Sequence, residues 1–207
     1  MSEKYGKSFT VAELGDRIDR DTATAYVYAD DDPSMRFVVR TDKSGEVIYE
    51  EYPYRLMCRK VENKINETFA KYGIVSECFV TFTPRRNINV SPNMTFDEFV
   101  KVNTLETAIT DIVVLSDVDL TGEKIVNVYT EICDYLENVD FGTCIYVLTE
   151  SDFNKIKEKI RHEVETFALQ DLKYSGASDN INELFIKVED KKMPLTSSEI
   201  DSELGRE

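Results

Sequence analysis

The chain of 207 residues is 42% hydrophobic and 31% charged, a balance that excludes both a disordered tail and a bundle of membrane spans. Its formal charge of −15 argues against a broad basic face for a nucleic-acid backbone or an anionic membrane. No apolar run approaches the ~20 residues of a membrane span, and no secretory leader pattern opens the sequence.

Residues 9–14 read as a first strand ending at Gly15, and residues 16–20 as a polar loop. Residues 22–29 alternate Ala25, Val27 and Ala29 with Tyr26 and Tyr28, the period of two of a strand. Asp30-Asp31-Asp32-Pro33 breaks it. Strands at 37–41 and 46–50 flank Asp42-Lys43-Ser44-Gly45, which suits a hairpin with Gly45 at positive φ. The N-terminal third is therefore an antiparallel meander.

Pro53 opens a long helix, since its missing N–H costs nothing in the first turn. Tyr54, Met57, Cys58, Val61, Ile65, Phe69 and Tyr72 form its apolar stripe, with Arg59, Lys60, Glu62, Lys64 and Glu67 outward. Gly73 stops it, and residues 74–83 form a strand up to Pro84. The Pro- and Asn-rich residues 84–94 make the longest loop and the candidate sub-domain boundary. A short helix over 95–102, capped by Thr95, packs Phe96, Phe99 and Val100. Residues 107–115 form a strand and 122–138 a helix with Ile125, Val128, Tyr129, Ile132 and Leu136 inward. A strand follows over 143–148, then a helix over 152–172 with Phe153, Ile156, Ile160, Val164 and Phe167 on one face. The last strand, 182–188, turns Leu184, Ile186 and Val188 inward. The expected fold class is α+β, with one domain over residues 1–189. Residues 190–207 read as a polar, frayed tail with at most a turn of helix at 198–204.

The four cysteines, Cys58, Cys78, Cys133 and Cys144, contain no C-x-x-C pair, and His162 is the sole histidine. The usual zinc spacings are absent and buried reduced thiols are expected. Glycine-rich phosphate loops, G-x-S-x-G and H-E-x-x-H are absent too. Asp30-Asp31-Asp32 reads as a solvated turn, and Arg85-Arg86 as a local anion contact at most. Tyr26, Tyr28, Tyr49, Tyr52 and Tyr54 gather around the meander and first helix. They serve either sheet packing or a recognition face.

The apolar strand running into Ser116-Asp117-Val118-Asp119-Leu120-Thr121-Gly122 resembles the first motif of the haloacid-dehalogenase-type phosphatases. That resemblance implies Asp117 as nucleophile and Mg²⁺ ligand and Asp119 as acid/base. Only 86 residues follow Thr121, and no downstream Gly-Asp pair leads a metal cluster. The competing reading makes Asp119 or Thr121 a helix cap and Asp117 a dipole partner. A calcium loop fits Asp117, Asp119, Thr121 and Gly122, but its twelfth position is Val128 rather than a bidentate Glu.

Residues 4–9 (Lys4-Tyr5-Gly6-Lys7-Ser8-Phe9), Ala25-Tyr26-Val27-Tyr28, Asp31-Asp32-Pro33-Ser34-Met35-Arg36-Phe37 and Tyr52-Pro53-Tyr54-Arg55 resemble, in order and spacing, a poorly characterised group of bacterial α+β domains. Many of that group sit on a membrane or lipoprotein anchor. The resemblance spans residues 4–75 and implies no catalytic residue and no cofactor. Two functional readings follow. One is a non-catalytic module for a protein or small-molecule partner, the outward-facing part of an anchored protein. The alternative is a Mg²⁺-dependent phosphohydrolase using Asp117 and Asp119. The compartment is cytoplasmic if Met1 is the native start and extracytoplasmic if an anchor lies upstream.

Overall fold

The computed structural model describes residues 1–15, 21–83, 88–103, 107–117, 120–136, 139–162, 181–188 and 192–205, with side chains undescribed at 83 and 107–114. In chain order these form α1 (Ser2–Tyr5), β1 (Phe9–Leu14), β2 (Thr22–Ala29), β3 (Asp32–Asp42), β4 (Val47–Glu50), α2 (Tyr52–Lys71), β5 (Ser76–Thr83), α3 (Phe96–Val102), β6 (Thr107–Ser116), α4 (Gly122–Tyr135), β7 (Phe141–Leu148), α5 (Glu150–His162), β8 (Asn182–Val188) and α6 (Ser197–Glu203). The architecture is α+β, with two four-stranded sheets ordered β1-β2-β3-β4 and β5-β6-β7-β8.

The first sheet is the expected antiparallel meander. Gly45 closes its last hairpin at φ 84°, donating its N–H to the Asp42 carbonyl, while the Asp42 carboxylate accepts from the Ser44 and Glu46 amides. Only the Asp30-Asp31 pair forms the β2–β3 turn. Pro33 falls between the paired positions Ala29↔Asp32 and Tyr28↔Arg36, where the register shifts and no ladder donor is needed. β3 thus starts at Asp32 rather than at residue 37. The inner face carries Val27, Ala29, Met35, Phe37 and Val39, packed by Tyr52 and by Tyr5 and Phe9. Tyr5, Phe9, Phe37 and Tyr52 meet mainly edge to face at 4.9–6.2 Å, the geometry that ring quadrupoles favour.

The second sheet pairs β6 with β7 in parallel, joined across α4, and pairs β5 and β8 antiparallel on the flanks. Period-two alternation divides its side chains. Cys78, Val80, Phe82, Ile145, Val147, Leu184 and Ile186 face α2, α4 and α6, while Phe79, Tyr146 and Leu148 face Phe153, Ile156 and Ile160 of α5. Cys78 and Cys144 lie on opposite faces.

The predicted stripe of α2 is buried throughout from Tyr54 to Phe69, and Gly73 ends the helix at φ 74°. Glu62 departs from expectation. Helical periodicity places it on the outer face, yet it is fully buried, as is Arg55. The cause is the free edge of β5, which α2 covers with side chains in place of a neighbouring strand. Glu62 Oε1 accepts from the Val80 N–H at 2.9 Å and from Arg55 Nη1 at 2.8 Å. The Tyr54 hydroxyl accepts from the Phe82 N–H at 2.9 Å. An uncovered edge would leave these amides unpaired in the core.

α3 forms as expected, with a full capping box between Thr95 and Glu98. α4 begins at Gly122 and buries all five predicted residues, Ile125, Val128, Tyr129, Ile132 and Leu136. For α5, Phe153, Ile156 and Ile160 are buried as predicted; Val164, Phe167 and Leu172 lie outside the described residues. The C-terminal segment forms the turn of helix read at 198–204, but docked rather than frayed. α6 carries its own capping box between Thr196 and Glu199, and Ile200 and Leu204 are buried in the main core at 0% and 3% exposure. Few apolar residues suffice there because an i, i+4 pair on a capped helix finds a groove on α4.

Candidate functional site

Asp117 lies at the exposed end of β6, where its backbone N–H donates to the Leu148 carbonyl at 2.9 Å. Asp119 lies outside the described residues. Thr121 is the N-cap of α4 and accepts from the Lys124 N–H, while Asp201 of α6 accepts from the Gly122 N–H at 2.7 Å. The capping duties at this helix start are thus held by Thr121 and a residue 79 positions further on. Among the described residues no group of three or more His, Cys, Asp or Glu is placed to hold a metal ion. Val128, at the twelfth position of the calcium pattern, is fully buried. The acidic turn has local partners: Asp30 accepts from Thr10, Asp31 pairs with Lys7, and Asp32 accepts from Ser34. Arg85 and Arg86 lie outside the described residues.

The tyrosines separate by role. Tyr52 belongs to the core of the first sheet, and Tyr26 and Tyr28 are half-buried on its strands. Tyr49 and Tyr54, joined by Tyr5, instead line a groove of about 780 Å³. Its walls come from α1, the ends of β3 and β4, the first turn of α2, and residues 88–92. The last of these, part of the loop and candidate sub-domain boundary at 84–94, is fixed by side chains. Asn103 accepts from the Asn89 N–H at 2.7 Å and donates to the Asn89 carbonyl at 2.8 Å. Lys60 donates to the carbonyls of Pro92 and Met94. Held in this way, Ile88 and Val90 form an apolar wall opposite the aromatic one.

The polar groups of the groove are ordered in a similar manner. Glu50 accepts from Lys4 Nζ at 2.9 Å, from the Tyr5 hydroxyl, and from the Tyr52 N–H at 2.9 Å, which places a carboxylate at the N-terminus of α2. Glu51 is buried at 6% exposure and accepts from the Tyr49 hydroxyl at 2.7 Å. Arg40 lies over the Tyr49 ring, 5.4 Å from its centroid, and no described carboxylate pairs with its guanidinium. Tyr54 spends its hydroxyl on β5 and presents its ring. The groove thus combines aromatic rings and two aliphatic side chains with a few fixed polar groups. The sequence signal for this site was the tyrosine cluster. Arg40, Glu51, Ile88 and Val90 give none, because only the tertiary fold brings the 88–92 segment across the groove from β4.

A second cavity of about 510 Å³ lies where β3, α2, β5 and α5 meet, lined by Arg59, Asn63, Glu77 and Arg161 among others. Its charges already serve each other. Arg161 Nε donates to Glu77 at 2.6 Å, and Arg59 donates to the carbonyls of Ser34 and Arg161. Burial pushes the Glu77 carboxyl above its usual range, with Arg161 opposing. This is a joint between elements. The thiols are distributed through the cores: Cys58, Cys78 and Cys133 are buried and Cys144 is half-buried. Burial pushes the Cys58 thiol up to about 12 despite the nearby Arg55, which keeps it neutral and unreactive.

The whole fold is similar to that of a DUF5037 family protein from Ruminococcus gnavus ATCC 29149, with a TM-score of 0.75 over 100% of this chain and 96% of that one. The two are 17% identical, so the likeness is one of fold. No family model matches the chain, and no curated protein matches it. The class so defined is an α+β domain, the fold that the resemblance of residues 4–75 implied. No helix among the described residues is long and apolar enough to cross a membrane.

Proposed function

We propose that this protein is a non-catalytic binding module whose ligand site is the groove between β4 and residues 88–92. The observation that carries the reading is the composition of that groove. Aromatic faces and an apolar wall surround an arginine without a carboxylate partner among the described residues and a buried glutamate. A surface built only for packing has no need of a buried carboxylate, which is costly to desolvate, and Arg40 stands exposed beside it. Display on the outside of a cell, by an anchor upstream, belongs to the same proposal and is tested by fractionating the native host.

The binding test is a fragment screen followed by NMR on the intact chain. Aromatic and zwitterionic fragments should shift the resonances of Tyr49, Ile88 and Val90, and Arg40→Ala and Tyr49→Ala should weaken them at unchanged Tm. Fragments that avoid the groove would remove this reading. Turnover of p-nitrophenyl phosphate with Mg²⁺ that Asp117→Asn eliminates would replace it with the phosphohydrolase.

A further inference from the structure

We infer that the occupant of this surface is an extended, basic and apolar peptide segment of a partner protein, which adds to β4 as a fifth strand and sets one side chain into the groove. The inference rests on the groove being the binding site and adds the partner's chemistry and mode of docking.

β4 is a sheet edge that no described strand covers. The contrast with β5 is direct: Tyr54, Arg55 and Glu62 satisfy that edge, whereas β4 has no such cover among the described residues. The Glu51 N–H donates to the Val38 carbonyl. By alternation the peptide groups of Tyr49 also turn toward β3, and those of Glu50 turn outward. The strand's side chains are unusual for an open edge. Val47, Ile48 and Tyr49 are successive large hydrophobics, exposed at 38%, 55% and 38%, where a protected edge carries Lys, Pro or other charge. A register shift between Arg40 and Thr41 gives β4 an extra residue at Ile48; such bulges re-aim side chains beside binding sites. The strand's end then opens into the groove through Tyr49 and Glu50. A free backbone edge, apolar side chains and an adjoining pocket are the three parts of recognition by strand addition.

Charge selects the partner. The turn that opens β4 carries Asp42 and Glu46 on its surface, and Lys43, its one lysine, pairs with Asp21; Arg40 and Lys4 belong to the groove, so the side chain set into it is an aliphatic one. A second copy of this chain would bring the same acids face to face, each chain carrying −15. A segment in which lysine or arginine alternates with aliphatic residues meets both requirements.

The test uses the intact protein and a capped octapeptide alternating lysine and valine, followed by fluorescence anisotropy and by amide exchange. The peptide should bind, lose affinity as salt rises, and slow exchange at the Glu50 amide. A version with two central prolines, which cannot make the ladder, should bind about tenfold or more weakly. Ile48→Lys should weaken binding by about the same factor at unchanged Tm, since Ile48 is exposed. Equal binding of the proline version without protection at Glu50 would overturn strand addition and leave the groove as a binding site. Failure of the peptide while aromatic fragments still shift Tyr49 and Val90 would do the same. If neither peptide nor fragments bind, both the inference and the proposed function fall.

Discussion

Glu62 shows how one side chain can answer several physical demands. Its carboxylate receives Arg55 and the Val80 amide, and Arg59 lies 3.5 Å from its other oxygen. Buried ion pairs are often replaceable by apolar residues without loss. Here replacement would also strip the β5 edge, leaving the Val80 N–H without an acceptor. Glu62→Ala should therefore cost about 3–5 kcal/mol in denaturant unfolding, and the double replacement Arg55→Met, Glu62→Leu should remain destabilised rather than return to wild type. A neutral double mutant would show that the edge finds another partner. Glu77 makes the opposite case. Its native carboxyl is raised above the ordinary value of 4.5, chiefly by burial, so the folded state holds that proton more tightly than the unfolded chain. Its contribution is favourable below about pH 4.5 and is lost as pH rises through the raised native value. Glu77→Gln, which mimics the protonated form, should match wild type near pH 4 and gain in Tm relative to it toward pH 7. A mutant that falls below wild type at neutral pH would mean that the Arg161 pair outweighs burial.

At the scale of elements, the close approach of α4 and α6 turns on Gly122. A Cβ there would lie 2.1 Å from the Ser197 carbonyl oxygen and 3.0 Å from Asp201 Cγ. Backbone cannot yield as a flexible side chain would, so the two helices must separate. Gly122→Ala should cost about 1–3 kcal/mol and raise amide exchange across residues 197–204, while α4 itself, gaining a better helix former, keeps its protection. Unchanged exchange in α6 would rule this geometry out. Elements whose identity rests on local signals were legible in the sequence. The alternation of β2, the Thr95 capping box, the Pro53 start and Gly73 stop of α2, and the apolar stripe of α4 each arise within one short window. The relations between distant segments were not. Glu62 reads as an outward residue because helical periodicity ignores a strand edge lying alongside. Asp201 capping α4 and Asn103 pinning Asn89 are side-chain contacts that no local pattern announces. The groove is legible only in its tyrosines for the same reason, since its wall is contributed by a segment whose position depends on Asn103 and Lys60.

Across the whole molecule, the larger core joins segments far apart in the chain: one cluster of buried residues runs from Tyr54 on α2 to Leu204 beyond α6. Ile200 and Leu204 fill the space beside α4, with Met193 and Leu195 packed at the margin. Removing residues 192–207 should therefore expose apolar surface on α4 and orphan the Gly122 amide. Two buried aliphatic side chains are worth roughly 1.5–3 kcal/mol each. For a chain of this length one kcal/mol moves the midpoint by about 2–4 °C. Calorimetry of the truncated chain should show a Tm lower by on the order of 10 °C, accompanied by dye binding to the uncovered face. A peptide of residues 192–207 added in trans should recover part of the loss, because its capping box and apolar pair remain intact, whereas the same peptide with Ile200→Asp should not. An unchanged melting temperature would mean that α6 rests on a core complete without it, and that the stability of the domain ends with β8.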